Sequence, residues 1–185
     1  MLVRREEVEA QKRYYYPLLR KSIFIHPTDL MYSIGCDARN NPLVMRLRVL
    51  KHWQTHPFNI IAPSKEWIRE HTDLPEEALN QLPGPITLVG HLTNPDALAQ
   101  EVHLGTNVIG VRIPDHWIAQ VVNKLGFPII STCANKRSHE LMTSIDDAHP
   151  ELVRTAKLVL HEGVKSGKQP LFIDYTEKEQ QIITE

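Results

Sequence analysis

Ile23-Phe24-Ile25-His26-Pro27-Thr28-Asp29-Leu30-Met31-Tyr32-Ser33-Ile34-Gly35-Cys36 is the stretch from which the rest of the chain is read. Its first three residues are apolar and favour extended backbone, so they predict a short buried strand. Pro27, with no N–H to donate, ends the ladder, and a polar loop follows. Loops at strand ends of α/β proteins present hydroxyls, carboxylates and free N–H groups to ligands. Thr28, Asp29 and Tyr32 are therefore candidate site residues; the plain alternative is a connection to a helix with Asp29 as its N-cap.

Upstream, residues 4 to 19 are strong helix formers interrupted by Pro17, which predicts one N-terminal helix over residues 1–19 packed on the body of the protein. Downstream, Asn40-Asn41-Pro42 reads as a helix cap with proline in the first turn. Leu43, Met45, Leu47 and Leu50 then give an apolar face ending near Lys51. Phe58 to Ala62 is a second strand, Ser64 caps a short helix, and another runs from Pro75 to Gln81. Pro83-Gly84-Pro85 is a rigid turn into a third strand, Ile86 to Val89; a fourth spans Asn107 to Ile113. In that fourth strand Arg112 is flanked by apolar residues, so its charge must reach solvent, a carboxylate or a ligand. A helix from Asp115 stops at Gly126, and the buried strand Pro128 to Ser131 empties into a second polar loop, Thr132 to Ser138. A helix near Ser144 to Ala148, a strand at Lys157 to His161 and a closing pair at Leu171 to Tyr175 and Gln181 to Thr184 complete the chain. Strands alternate with helices, and some are joined too tightly for helical crossovers. That pattern predicts one α/β or α+β domain over residues 1–185, with flanking helices on a twisted mixed sheet.

The 185 residues suffice for one sizeable core, and 42% hydrophobic with 23% charged residues is an ordinary globular balance. No apolar run has the length of a membrane span, and the charged N-terminus forms no export signal, so a cytoplasmic protein without a membrane partner is expected. Cys36 and Cys133 lack a disulfide framework and zinc-type spacing and are expected to be free. A net charge of −1 gives no global attraction to nucleic acid. Two local basic patches exist, Arg46, Arg48, Lys51, His52 and His56, and Lys136, Arg137 and His139. The ten histidines form no ligand-spaced pair, so no metal site is expected. Gly163-Val164-Lys165-Ser166-Gly167-Lys168-Gln169 fails as a phosphate loop, having three residues between its glycines and Gln169 in place of the hydroxyl. Cys133 is a nucleophile only if a base accompanies it, and the sequence assigns none; a small buried thiol is the simpler state.

Taken in order, Pro27-Thr28-Asp29 with Tyr32 and Gly35, Lys51, Pro57, Pro83-Gly84-Pro85 with Thr87, Val111-Arg112-Ile113-Pro114 and Thr132-Cys133-Ala134-Asn135 resemble the YrdC family over about residues 20 to 175. The resemblance implies a concave groove in a mixed α/β fold and threonylcarbamoyl-AMP synthase activity. In that reaction threonine, bicarbonate and ATP with Mg2+ give L-threonylcarbamoyladenylate, which supplies the threonylcarbamoyladenosine modification of tRNA. It also implies roles. Lys51 and Asn135 would be catalytic; Lys51, Thr132, Cys133, Ala134 and Asn135 would hold ATP; Thr28, Tyr32 and Arg112 would hold threonine. The chain departs from the family pattern at Leu30 for a threonine, at Trp53 in Lys51-His52-Trp53 for an arginine, and at Cys133 in Cys133-Ala134-Asn135 for a serine. It departs again at Leu171-Phe172 for Ser-Thr and at Ile183-Thr184-Glu185 for the terminal Arg-Gly. These changes leave open a second reading, a module that binds nucleotide or double-stranded RNA without the chemistry. Its basic groove would be formed by Arg46, Arg48, Lys51, Lys136 and Arg137.

Overall fold

The computed structural model describes residues 1–135, 141–177 and 181–183. Lys136, Arg137 and His139 of the second basic patch, and Thr184 and Glu185, lie outside the described residues.

The opening stretch forms a hairpin. Strand β2, Phe24–Pro27, pairs antiparallel with β3, Tyr32–Gly35, placing Phe24 opposite Gly35 and Pro27 opposite Tyr32. Pro27 does end the first strand, but only four residues separate it from the second. Tyr32-Ser33-Ile34-Gly35 shows no clean polar alternation because every residue of β3 is buried, as in strands covered on both faces. The N-terminal segment also differs from a single helix. It contains a strand, β1 (Leu2–Arg4), and two helices, α1 (Arg5–Ala10) and α2 (Lys12–Arg20). β1 pairs in parallel with a strand from the far end of the chain, a contact that no local pattern encodes.

Most of the remaining elements are the expected ones; the helices Gln100–His103 and Pro150–Thr155 are additional, and the strand Thr132–Cys133 lies in the segment expected to be a polar loop. In chain order they are α3 (Asn41–Lys51), β4 (Ile60–Ile61), α4 (Lys65–His71), α5 (Glu76–Leu79), β5 (Ile86–His91), α6 (Gln100–His103) and β6 (Val108–Arg112). After them come α7 (Trp117–Leu125), β7 (Ile129–Ile130), β8 (Thr132–Cys133), α8 (Pro150–Thr155), β9 (Leu158–His161), β10 (Leu171–Asp174) and β11 (Gln181–Ile183). The caps work as their residue types demand: Asn40 accepts from Leu43 N at 3.2 Å, and Ser64 from Trp67 N at 3.3 Å. Gly126 ends α7 in the left-handed region. The segment near Ser144 is one 3₁₀ turn, Ile145–Asp147, rather than an α-helix.

The mixed α/β class holds, and the strands divide between two sheets. One has the order β1-β9-β2-β3-β8, the other β11-β10-β5-β6-β4-β7. Both mix parallel and antiparallel pairs. The chain crosses from the second sheet to the first at Ser131, between β7 and β8. At that seam Ile130 N donates to Cys36 O at 2.9 Å, and Asp37 bridges Ile129. Gly35 permits the approach, because a Cβ there would lie 1.8 Å from Ile130 O. The main core, including Ile34, Leu47, Phe58, Ile60 and Val111, fills the space around the seam. A second cluster packs α7 and the N-terminal helices, through Val8, Tyr15, Leu19, Trp117, Val121 and Leu125, against Phe24, Leu158 and Leu160. Each such large apolar side chain contributes about 1.5–3 kcal/mol on full burial.

Candidate active site

Where the two sheets diverge beside the seam, a cavity of about 140 Å³ opens. Met31 and Ser33 of the hairpin, Lys51 and Trp53 from the end of α3, and Asn59 before β4 line it, with Thr87 of β5 and Arg112 of β6. Ser131, Thr132, Cys133 and Asn135 form the wall at the sheet crossing, and Gln169, Pro170 and Phe172 a further side. Thus the two strand-end segments, Lys51 and Arg112 meet at one place.

Arg112 is buried at the end of β6, and its Nη2 donates to Asp29 Oδ1 at 2.6 Å. Burial lowers the guanidinium pKa, and the Asp29 carboxylate opposes that effect. The pair is only half satisfied. Arg112 Nε and Asp29 Oδ2 are buried with no hydrogen-bond partner among the described residues, and so is Thr87 Oγ1, in a residue 1% exposed. A buried polar atom without a partner costs about 1–3 kcal/mol. Arg112 and Thr87 both line the cavity, so its wall there carries polar groups whose bonding is incomplete. Asn59 is held close to β6 because Gly110 has no side chain; a Cβ there would lie 2.0 Å from Asn59 Oδ1.

Lys51 occupies the last turn of α3, where a cation meets the negative end of the helix dipole. Its Nζ donates to Cys133 O at 2.6 Å and to Asn135 O, tying the helix end to the wall at β8. Burial brings its pKa down to about 8, with the nearby Cys133 opposing. Trp53 follows His52, which is in the left-handed conformation. The backbone at Trp53 is held from both sides by Arg48: Trp53 N donates to Arg48 O at 3.1 Å, and Arg48 Nη1 donates to Trp53 O at 2.6 Å.

Several residues singled out from the sequence are placed elsewhere. Thr28 Oγ1 donates to Met31 O at 2.9 Å and accepts from Leu30 N and Met31 N at 3.2 and 3.1 Å, so this fully buried hydroxyl builds the hairpin turn. Tyr32 is also fully buried; its hydroxyl donates to Gly163 O at 2.6 Å and accepts from Glu162 N at 3.1 Å. Ala134 is buried in the main core. None of the three is among the residues that line the cavity. Arg48 is withdrawn from the basic groove. It is 6% exposed and donates to the carbonyls of Glu101, Trp53, His56 and Val102. Of Arg46, Arg48 and Lys51, only Arg46 is exposed.

Three features escaped the sequence. Ser33 reaches the cavity from β3, and Met31 from the turn just before it. Asn59, just before β4, carries no local signal of a site, and Thr87 belongs to the family pattern without a role assigned from sequence. Next to the Asp29 carboxylate stands a charged cluster: Glu162 accepts from Trp117 Nε1 and Lys165 Nζ and lies 2.6 Å from His116 Nε2. Burial pushes the Glu162 carboxyl up, but the hydrogen bonds from Lys165, Trp117 and His116 outweigh it and hold the pKa below its ordinary value. Both cysteines are free. Among the described residues no cluster of His, Cys, Asp or Glu is placed to hold a metal ion, and no helix is long and apolar enough to cross a membrane.

This geometry has relatives. A family model described as Sua5-yciO-yrdC, telomere recombination, matches residues 18–185. A putative threonylcarbamoyl-AMP synthase of Methanocaldococcus jannaschii is 27% identical over 160 residues, 83% of this chain and 73% of that protein. A threonylcarbamoyl-AMP synthase of Bos taurus is 29% identical over 150 residues, 78% of this chain and 53% of that protein. Among solved structures, P. abyssi Sua5 complexed with L-threonine superposes with a TM-score of 0.82 at 24% identity, covering 98% of this chain and 56% of that one. E. coli YciO superposes with a TM-score of 0.85 at 20% identity, covering 100% of this chain and 94% of that one. The P. abyssi and bovine proteins therefore extend well beyond the part that this chain matches. With a match running from the hairpin's approach to the last residue and a fold shared throughout, the chain belongs to the Sua5/YciO/YrdC family.

Proposed function

We propose that this protein forms L-threonylcarbamoyladenylate and pyrophosphate from threonine, bicarbonate and ATP, for the threonylcarbamoyladenosine modification of tRNA. The observation that carries the proposal is the pairing, in one cavity, of an incompletely bonded Arg112 and Thr87 with a buried lysine on the Thr132–Asn135 wall. The names of the curated relatives and the threonine bound in the P. abyssi structure support it.

Arg112, whose guanidinium is only partly used by Asp29, takes the threonine carboxylate through a charge-assisted contact. Thr87 completes the polar recognition of the amino acid. The threonine amine adds to bicarbonate with loss of water to give a carbamate, whose oxygen attacks the α-phosphorus of ATP, and pyrophosphate departs. Lys51 and Asn135 act at the phosphates, with Thr132 and Cys133 beside them; the ammonium offsets charge that grows on the leaving group. Mg2+ enters as the ATP complex and needs no protein-built cage of carboxylates. Trp53 and Cys133 stand where the family pattern has an arginine and a serine, so ATP binds less tightly than a full cation set would hold it.

The test is pyrophosphate release by the pure protein with ATP, Mg2+ and bicarbonate, measured with and without threonine. Threonine-dependent release is the expected result. Release that ignores threonine, or none at any substrate concentration, rejects the proposal.

A further inference from the structure

We propose that Cys133 is a nucleophile of the cavity that accepts the threonylcarbamoyl group from the adenylate as an S-linked thiocarbamate. The identity of the donor rests on the function proposed above; the reactivity of the thiol rests on the cavity itself. Cys133 pairs with Ser33 across β8 and β3, and directly opposed residues of an antiparallel pair face the same side. Both line the cavity. Cys133 is free and half-buried, whereas Cys36 is fully buried and its thiol pKa is pushed far up by burial.

Two further observations point to a ligand at this thiol. Thr87 and Arg112, each more than nine-tenths buried and each with a polar atom that lacks a partner among the described residues, line the same cavity, which suits it to a polar, carboxylate-bearing molecule. Lys51 Nζ sits on the carbonyl of Cys133 itself, and burial makes its neutral form accessible near neutral pH. Lys51 Nζ is thereby held at the backbone of the residue that carries the thiol, and it is the base of the proposed step. An amine that has lost one proton keeps two to donate to the carbonyls of Cys133 and Asn135 while its lone pair takes the thiol proton.

The step balances as follows. After pyrophosphate has left, the Lys51 ammonium gives a proton to water; the Sγ proton then passes to the neutral Nζ, and the sulfur electron pair forms a bond to the carbamoyl carbon. The bond from that carbon to the bridging phosphate oxygen breaks, and its electron pair leaves with AMP. A thiolate is a far better nucleophile than the serine hydroxyl of the family pattern. The consequence is that, once the adenylate has formed, this chain can hold the threonylcarbamoyl group covalently.

The experiment follows pyrophosphate and protein mass in the same acid-quenched samples, with peptide mapping of Cys133, for the unmodified protein and Cys133→Ser. A parallel set replaces all substrates by acetyl phosphate, a simple mixed anhydride that needs neither ATP nor threonine. Expected are one threonylcarbamoyl group on Cys133 and none on Cys36. Acetylation of Cys133 by acetyl phosphate should be roughly tenfold or more faster than that of Cys36, and slower in Lys51→Met. Pyrophosphate release with Cys133 unmodified overturns the inference and leaves the proposed function standing. Without pyrophosphate release the proposed function fails, and the acetyl phosphate samples decide on the thiol: no preference for Cys133 overturns the nucleophile as well.

Discussion

Replacing His26 by leucine is expected to remove a large part of the acid sensitivity of this fold. His26 lies on β2 with no solvent exposure. Its Nδ1 is 3.3 Å from Pro27 O, and its Nε2 has no partner among the described residues. Burial lowers its pKa from 6.5 to about 4; the bond to Pro27 opposes this, and the nearby charges of His116 and Arg112 add to it. In the unfolded chain the imidazole takes a proton as the pH falls through 6.5, while the folded protein refuses it until about pH 4. Between those values the unfolded state binds more protons, so stability falls as the pH falls. Each pH unit of that gap is worth about 1.4 kcal/mol, so His26 alone removes about 3 kcal/mol between neutral pH and pH 4. Below about pH 4 both states are protonated and its contribution levels off. Urea unfolding across this range, on the unmodified protein and His26→Leu, isolates the effect, because the other histidines and carboxylates contribute equally to both. The stability of the unmodified protein minus that of His26→Leu should fall by about 3 kcal/mol as the pH is lowered from neutral to about 4. Parallel curves would refute the reasoning, as would an NMR titration that places the His26 imidazole near 6.5 in the folded protein.

Trp53→Arg restores a cation on a main chain that Arg48 already holds, so ATP should bind about 1.5–3 kcal/mol more tightly by titration calorimetry; an unchanged affinity removes Trp53 from the phosphate site. Tyr32→Phe deletes a hydroxyl that donates to Gly163 O and accepts from Glu162 N. It should cost about 1–3 kcal/mol of stability in denaturant and leave threonine affinity unchanged, and a weakened threonine titration would show that Tyr32 reaches the ligand. Gly35→Ala places a methyl 1.8 Å from a backbone carbonyl of the other sheet, so a thermal midpoint equal to that of the unmodified protein would contradict the described seam.

Much of the chain's local structure was legible because it has local causes. Asn40 and Ser64 cap helices with their own side chains, Gly126 ends one in the left-handed region, and the apolar runs around Ile25, Ile60 and Val111 are strands in any compact fold. The site was legible in outline for a different reason: Lys51, Arg112 and the Thr132 to Asn135 segment carry a family pattern in order. What the sequence could not express is which side chains use up one another. Thr28 and Tyr32 look like ligand groups, yet their hydroxyls are engaged by backbone atoms, Thr28 within its own turn and Tyr32 with Glu162 and Gly163, far along the chain. Arg48 looks like part of a basic surface, yet four carbonyls enclose it. β3 escaped because a strand buried on both faces loses the alternation that identifies strands, and β1 because the strand it pairs with lies far along the chain. Composition and local pattern therefore determined the α/β class, the caps and most strands, whose causes lie within a few residues. Tertiary structure alone decided the division into two sheets, the pairing of Arg112 with Asp29 and the meeting of Lys51 with Cys133, because hydrogen bonds and charges are satisfied between residues that only the folded chain brings together.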